Sequence, residues 1–297
     1  MPASSHTSIP RLIGQIPIIG TVLLALSLGG CGTVRLGYNN APGLAYWWIN
    51  GYLDLDPEQA SMLRTELQSI QDWHRKQELP LLARQLAQLK ALALQSTNAD
   101  ATCQLSADLQ ERYQSLVERT APALVAVVPT LHDAQLAHLE REFEKRAADW
   151  QREHVLSSQA EQIKRRSRQM VDRLVSFYGE LAPEQHALVH AQVVHSDYDA
   201  AQVYRERLRR QQDGLEVLRK LHAKPGTPRQ QRATIDALLQ RTLSSPDPVY
   251  RQYAARVTQQ NCTNLAALHN SMSSQQRAKL EETLQDYAQD LRALIKE

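Results

Sequence analysis

The chain has 297 residues, and its 34 basic and 32 acidic side chains leave a formal net charge of only +2, so its charge balance does not call for nucleic acid or another polyanion as a partner. Eight of the 11 glycines lie at or before Gly51. The rest of the chain therefore lacks the clustered glycines of phosphate-binding loops and nucleophile elbows, which argues against nucleotide-binding α/β folds and α/β-hydrolases.

The first 30 residues have the features of a processing signal. An apolar stretch from Ile16 to Leu28 is too short to span a bilayer comfortably. It ends in Leu28-Gly29-Gly30-Cys31, which resembles the lipobox of bacterial lipoproteins. That resemblance implies that residues 1–30 are a cleaved lipoprotein signal peptide and that Cys31 is lipidated. The alternatives are an uncleaved anchor and an ordinary secretory signal followed by a chance cysteine.

Lipidation of Cys31 predicts where the mature chain resides. Each buried CH₂ of an acyl chain contributes about 0.8 kcal/mol, so three chains hold a soluble domain on a membrane essentially permanently. Gly32 stands where an aspartate would act as an inner-membrane retention signal in enteric bacteria. We therefore expect the protein at the periplasmic face of the outer membrane. Residues 31–42 are predicted to be a short lipidated tether, and residues 43–297 a helical bundle domain.

The two other cysteines, Cys103 and Cys262, form an even pair in an oxidising compartment once Cys31 is lipidated. This arithmetic predicts a disulfide between them. The alternative is that both are small apolar core residues with no bond between them.

An aromatic segment opens the predicted bundle between Gly43 and Tyr52. Leu44, Trp47, Trp48 and Tyr52 share one face of a helix by their spacing. Such a face is typical of a helix at a membrane interface, where Trp and Tyr favour the headgroup zone, or of a first helix that packs into the bundle. Of the two interpretations we favour packing into the bundle.

The rest of the chain predicts helices separated by short loops. Asp56-Pro57-Glu58 is a helix start, and Pro80 is expected to kink or restart the helix that follows. Later helices are predicted at about 102–120, 131–178 as one long helix or two joined, 183–222, 228–243, 246–270 and 274–296. The fold is therefore predicted to be all-α, a bundle of about seven helices, several of them long.

One helix-start pattern recurs four times as apolar-x-x-x-Gln-x-x-x-apolar. The four copies are Leu55 to Leu63 with Gln59, Leu131 to Leu139 with Gln135, Leu181 to Val189 with Gln185, and Met272 to Leu280 with Gln276. The spacing is that of a hydrophobic staple, in which an apolar residue before the cap packs on one inside the helix. The intervals between copies differ, so they do not form a solenoid of fixed period.

Several segments resemble an uncharacterised family of proteobacterial lipoproteins. They are Tyr38-Asn39-Asn40, Trp47-Trp48, the stretch from Tyr52 to Gln59, and the tail from Tyr287 to Arg292. The family is a domain of unknown function, so this resemblance implies a lipoprotein but no activity.

The four glutamine helix starts are also similar to the Leu-Thr-x-x-Gln motif of Spy-type periplasmic chaperones. Those proteins are helical cradles that hold unfolded clients without ATP. This sequence departs from the motif because Asp56, His132, Ala182 and Ser273 stand in place of the threonine. The resemblance implies a holdase as one alternative function.

Two clusters of polar residues suggest chemistry but are better explained as solvated faces. His186, His190 and His195 lie close in sequence, yet the pattern lacks the glutamate of a His-Glu-x-x-His zinc site. The basic runs at 164–173 and 205–210 are interleaved with acidic residues. We predict no catalytic residue, no metal and no cofactor.

The sequence thus predicts a non-enzymatic lipoprotein that works by binding. We expect a scaffold, assembly factor or adaptor of the cell envelope, joined to the membrane through acyl chains on Cys31 and to an envelope protein partner. Neither nucleic acid nor a small-molecule substrate is expected. An ATP-independent periplasmic chaperone is the alternative.

Overall fold

A computed structural model describes residues 32–297, and this part of the chain is all-helical, as predicted, with no strand. The thirteen α-helices of the described chain are α1 (Thr33–Asn39), α2 (Ala41–Leu53), α3 (Pro57–Trp73), α4 (Leu79–Leu92), α5 (Ala99–Arg119), α6 (Ala121–Val127), α7 (Asp133–His154), α8 (Gln159–Tyr178), α9 (Pro183–Val194), α10 (Ala200–Ala223), α11 (Pro228–Leu243), α12 (Pro248–Asn270) and α13 (Ser274–Lys296).

The described helices outnumber the predicted seven. Three long predicted helices are each divided in two, and the short helices α1, α2 and α6 add to the count. The pattern at 131–178 is two helices, since Ser158 caps α8 in a capping box with Glu161. The pattern at 183–222 is also two helices, since the Asp199 carboxylate accepts hydrogen bonds from the first turn of α10.

Pro80 does change the helix in which it lies, and the change comes just before it. A π-helical turn, His74–Glu78, joins α3 to α4. Pro80 has no N–H to give to the carbonyl four residues earlier, and a locally wider turn accommodates this loss. The chain runs through the junction without a loop.

The segment expected to be a tether is helical instead. Residues 33–39 form α1, which packs against α13 at the other end of the chain. Its link to α2 is a single turn at Asn40. The bundle therefore begins at Thr33 and not at residue 43.

The apolar core is divided among three clusters. The first joins α2, α3, α6 and α7, and its buried members include Leu63, Leu131 and Leu136. The second joins α5, α6, α10 and α11, with Val128, Leu221 and Ile235 among its buried members. The third joins α8, α9, α12 and α13 around Leu174, Val189 and Leu268. Helices from the two ends of the chain also pack together, α4 on α13 and α5 on α12. The two ends of the sequence thus belong to one packed structure.

Candidate membrane-facing surface

Helix α1 is fixed to the bundle through the last residue of the chain. The guanidinium of Arg35 donates to one carboxylate oxygen of Glu297 at 2.7 Å, and the Asn39 amide donates to the other at 2.9 Å. These hydrogen bonds lower the pKa of Glu297. The amino-terminal helix is thereby held in a defined place next to the end of α13.

A second set of contacts joins α1 to the junction of α3 and the π-helical turn. The Gln71 amide donates to the backbone carbonyl of Tyr38 at 2.6 Å, and Arg75 donates to the Asn39 side chain at 2.7 Å. The Tyr38 hydroxyl lies 3.1 Å from Nδ1 of His74. Burial lowers the pKa of His74 to about 4 and raises that of Tyr38 to about 12, so the hydrogen bond joins a neutral imidazole to a protonated phenol.

Helix α2 uses one face to cover the core. Tyr46, Ile49 and Leu53 pack against the first apolar cluster. At the edge of this face the Tyr52 ring meets Phe143 of α7, with ring centroids 5.7 Å apart, and the Arg146 guanidinium lies 4.1 Å from the centre of the Tyr52 ring. Helix α2 is thus packed against both α3 and α7.

The opposite face of α1 and α2 is exposed and uncharged. Leu36 is 66% exposed, Leu44 57% and Trp47 68%. We call this face the outer stripe; its exposed members are Leu36, Asn40, Gly43, Leu44, Trp47, Trp48 and Gly51, which recur at helical spacing. The interpretation that we favoured, in which the aromatic face of this helix packs into the bundle, is wrong for Leu44 and Trp47, because the Tyr46–Ile49 side occupies the core instead.

The predicted signal peptide, residues 1–30, and the predicted lipidation site, Cys31, lie outside the described residues. The described chain starts one residue later, immediately before α1. No described helix combines the length and the apolar character needed to cross a bilayer.

Cys103 and Cys262 form the disulfide that their number predicted. The bridge connects α5 to α12, and the two Cα atoms lie 5.2 Å apart. Beside it the Thr102 hydroxyl donates to the backbone carbonyl of Cys262 at 2.7 Å. A covalent bond thus supports the packing of an early helix on a late one.

The four glutamine helix starts meet in pairs. In the first pair the side-chain amides of Gln59 and Gln135 donate to each other's oxygens at 3.1 and 2.7 Å. Each amide also donates to the backbone carbonyl five residues before its partner, that of Thr130 for Gln59 and that of Asp54 for Gln135. Each Oε1 atom accepts from the N–H of its own cap residue.

Gln185 and Gln276 repeat the same arrangement in the second half of the chain. Their amides donate to each other at 2.8 Å in both directions, and to the carbonyls of Ser271 and Glu180. We call the two arrangements the glutamine dyads. The sequence showed the recurring pattern, but nothing in it gave the pairing.

The histidines of α9 lie at the surface, and arginines of the second basic run form hydrogen-bonded ion pairs. His186 and His190 are exposed on α9, and no group of three or more potential ligands in the described chain could hold a metal ion. Within the basic runs, Arg209 and Arg210 both donate to the carboxylate of buried Glu206 at 2.8 Å.

The sequence analysis did not identify Leu36 as part of the exposed face. Its spacing from Trp47, which places both residues on the same side of a helix, was the available indication.

Comparison with known proteins identifies a family. Residues 51–251 match the family of unknown function DUF6279. This range includes the stretch from Tyr52 to Gln59, whereas the Tyr38-Asn39-Asn40 and Trp47-Trp48 motifs lie before it. No curated protein and no solved structure matches the chain. Because the match covers more than half of the sequence, the chain belongs to the DUF6279 family.

Proposed function

We propose that this protein is an outer-membrane lipoprotein, anchored at the periplasmic face through acylated Cys31, that acts by binding and not by catalysis. In this proposal the bundle is a scaffold or assembly factor for another envelope protein. Acyl chains on Cys31 would be the membrane contact, and the helical surface would meet the partner.

The docking of α1 is the observation that carries the proposal. Because α1 begins at Thr33 and is bound to Glu297 and His74 through its own side chains, a lipid on Cys31 would hold the whole bundle close to the membrane. Five extended residues span at most about 17 Å, so Leu36 cannot lie farther than that from the lipidated residue. A protein held this close is suited to present one face to neighbours in the same membrane.

The structural use of buried polar groups fits a protein that acts by binding. The glutamines of the four helix starts donate to backbone carbonyls, and buried Glu206 accepts hydrogen bonds from two partly exposed arginines. These groups stabilise helix ends and helix contacts.

Intact mass spectrometry of the protein from native membranes tests the anchor. We expect a chain that starts at Cys31 and carries three acyl groups, and a Cys31→Ala variant that lacks them. An unmodified wild-type chain that retains residues 1–30 would overturn the proposal. Chemical cross-linking in intact cells, followed by identification of the adducts, then tests for a specific envelope partner.

A periplasmic holdase is the second candidate, favoured by the similarity of the helix starts to the Spy-type motif. A holdase suppresses aggregation of several unrelated unfolded proteins at about equimolar ratio and without ATP. A scaffold leaves their aggregation, measured by light scattering, unchanged. The assay therefore separates the two candidates.

A further inference from the structure

Helix α2 combines features that no other helix of the described chain has together. Among the thirteen helices only α2 and α6 contain no Asp, Glu, Lys or Arg. Helix α6 buries Ala121, Ala123 and Val127, so its lack of charge follows from its place in the core. Helix α2 has no fully buried residue and leaves Trp47 largely exposed. Burial inside the bundle therefore does not explain its composition.

The lack of charge extends beyond α2. No charged side chain occurs between Leu36 and Leu53, and the outer stripe runs along this whole segment. Leu36 and Trp47 are eleven residues apart, which corresponds to about 16 Å along helix of 1.5 Å rise per residue. An exposed apolar strip of this length on a soluble protein marks a contact surface.

The covalent course of the chain indicates what the surface contacts. The stripe begins five residues after Cys31, on a helix that is bound to the bundle and cannot swing away freely. Any membrane that holds the acyl chains therefore lies within reach of Leu36. Tryptophan and leucine suit the headgroup zone of a bilayer, whereas charged residues at this depth are costly.

We propose that the outer stripe lies in the headgroup zone of the membrane to which the lipid on Cys31 attaches the protein. This inference rests on the proposed anchoring for its location. The bundle then has two membrane contacts, the acyl chains and the Leu36–Leu44–Trp47 face. Two contacts fix its orientation, so that the same side of the bundle always faces the periplasm.

Quenching of tryptophan fluorescence by brominated lipids tests this contact. The lipidated full-length protein is reconstituted into vesicles of phosphatidylethanolamine and phosphatidylglycerol that carry bromine near the headgroup end of the acyl chains. We expect quenching in the wild type, loss of most of it when Trp47→Phe and Trp48→Phe are combined, since both tryptophans belong to the outer stripe, and its retention in Trp150→Phe. Trp150 is the control because it stacks on Tyr204 within the bundle.

A matched pair of charge variants extends the test. Leu44→Glu should lower the quenching of Trp47 at least about twofold, because a carboxylate drives this face toward water. Leu109→Glu places the same charge on a residue of comparable exposure, 49% against 57%, and should leave quenching unchanged. Far-UV circular dichroism checks that both variants fold, which their exposed positions favour.

The outcomes separate this inference from the proposed anchor. Acyl groups in the mass spectrum without quenching of Trp47 would overturn the membrane contact and leave the anchor in place. Quenching in a chain without acyl groups would support the contact and overturn the anchor. A Trp47 that is shielded in native membranes but not quenched in pure lipid vesicles would show that a protein covers the stripe, which also overturns the inference.

Discussion

Two histidines, buried His269 and partly buried His74, each lie next to a tyrosine hydroxyl, and burial keeps both imidazoles neutral. Nε2 of His269 lies 2.8 Å from the carbonyl of Gln95, and Nδ1 lies 2.9 Å from the Tyr178 hydroxyl. Since a carbonyl oxygen only accepts, Nε2 carries the proton and Nδ1 accepts from the tyrosine. Burial lowers the pKa of His269 and raises that of Tyr178 to about 12, so both side chains are neutral. His74 and Tyr38 form a similar pair at the docking site of α1.

The lowered pKa of His74 predicts a dependence of stability on pH. Its pKa is about 4 in the folded protein against 6.5 in the unfolded chain, so between these values the unfolded state binds more protons. The contribution of His74 is complete above pH 6.5 and is lost progressively as the pH falls to about 4, by up to about 3 kcal/mol. Urea unfolding from pH 7.5 to 4 measures it.

His74→Gln keeps a polar side chain as hydrogen-bond partner for the Tyr38 hydroxyl and removes the titration. Its free energy of unfolding should therefore fall less steeply than that of the wild type across this range. The exposed His186→Gln is the control and should follow the wild type. Parallel curves for His74→Gln and the wild type would contradict the prediction.

Glu206 provides a second prediction at the level of one residue. Its burial raises the pKa, but hydrogen bonds from Arg209, Arg210 and Ser245 outweigh that effect, so the pKa is lowered and the group is ionised. Glu206→Gln keeps the shape and removes the charge that two guanidinium groups share. We expect a loss of about 1–3 kcal/mol in the free energy of unfolding at pH 7. Glu216→Gln on the exposed side of the same helix should change it little.

At the scale of the helix, capping residues decided which predicted boundaries were right. The start of α3 at Asp56-Pro57 was predicted well because the cap, the proline and the acid all lie in one short motif. The break at Ser158 was left open and the break at Asp199 was missed, because the surrounding residues are good helix formers and a single polar cap is a weak local feature. Helix α1 was missed for a related reason: its stability comes from Glu297, at the far end of the chain.

The glutamine dyads predict a specific pattern of energetic coupling between helix starts. Replacing Gln185 by Ala leaves the N–H of Ala182, the carbonyl of Ser271 and the amide of Gln276 each short of a partner. We expect each single Gln→Ala change to cost about 1–3 kcal/mol. The double change at Gln185 and Gln276 should cost less than the sum, because the second substitution removes a group that is already unpaired.

A double-mutant cycle by urea unfolding measures this coupling. Within a dyad we expect an interaction energy of about 0.5–3 kcal/mol, and across dyads, for Gln59 with Gln185, near additivity. Additivity within a dyad would show that the paired amides do not support each other. Equal coupling within and across dyads would show instead that the variants perturb the whole bundle.

At the scale of the molecule, the dyads mark two similar units. Leu55, Leu63 and Leu131 of the first pair of patterns belong to one apolar cluster, and the corresponding apolar residues of the second pair, Leu181, Val189, Met272 and Leu280, belong to another. The sequence predicted the local helix start in each copy but did not predict which glutamines pair. Pairing depends on contacts between residues 76 and 91 positions apart, which a local pattern does not encode.

The outer stripe likewise depends on contacts between distant residues that a local pattern does not encode. The aromatic segment was evident from composition, yet which of its faces meets the core depends on Leu63, Val127 and Leu131, supplied by other helices. Helical spacing groups Leu44 with Trp47 but does not say whether water or the bundle lies beyond them. The side that carries Tyr46 and Ile49 packs better on these residues, and the tryptophan side remains outside.

The disulfide predicts how far the two ends of the chain depend on each other. It joins residues 159 positions apart, and closing so long a loop reduces the entropy of the unfolded chain by the equivalent of about 5 kcal/mol. Reduction should therefore lower the midpoint of thermal unfolding by about 10 °C or more, and Cys103→Ala with Cys262→Ala should lower it similarly. Differential scanning calorimetry with and without reductant makes the measurement.

The control for the disulfide is Cys31→Ala, which keeps the bridge and should retain the full response to reductant. Because the bridge fixes α5 to α12 while α4 packs on α13, its loss weakens the contact between the early and late helices and also raises the entropy of the unfolded chain. A single transition at lower temperature is expected if those helices unfold together. Two separated transitions on reduction would show that the units around the two dyads unfold independently, with the bridge as the element that makes them cooperative.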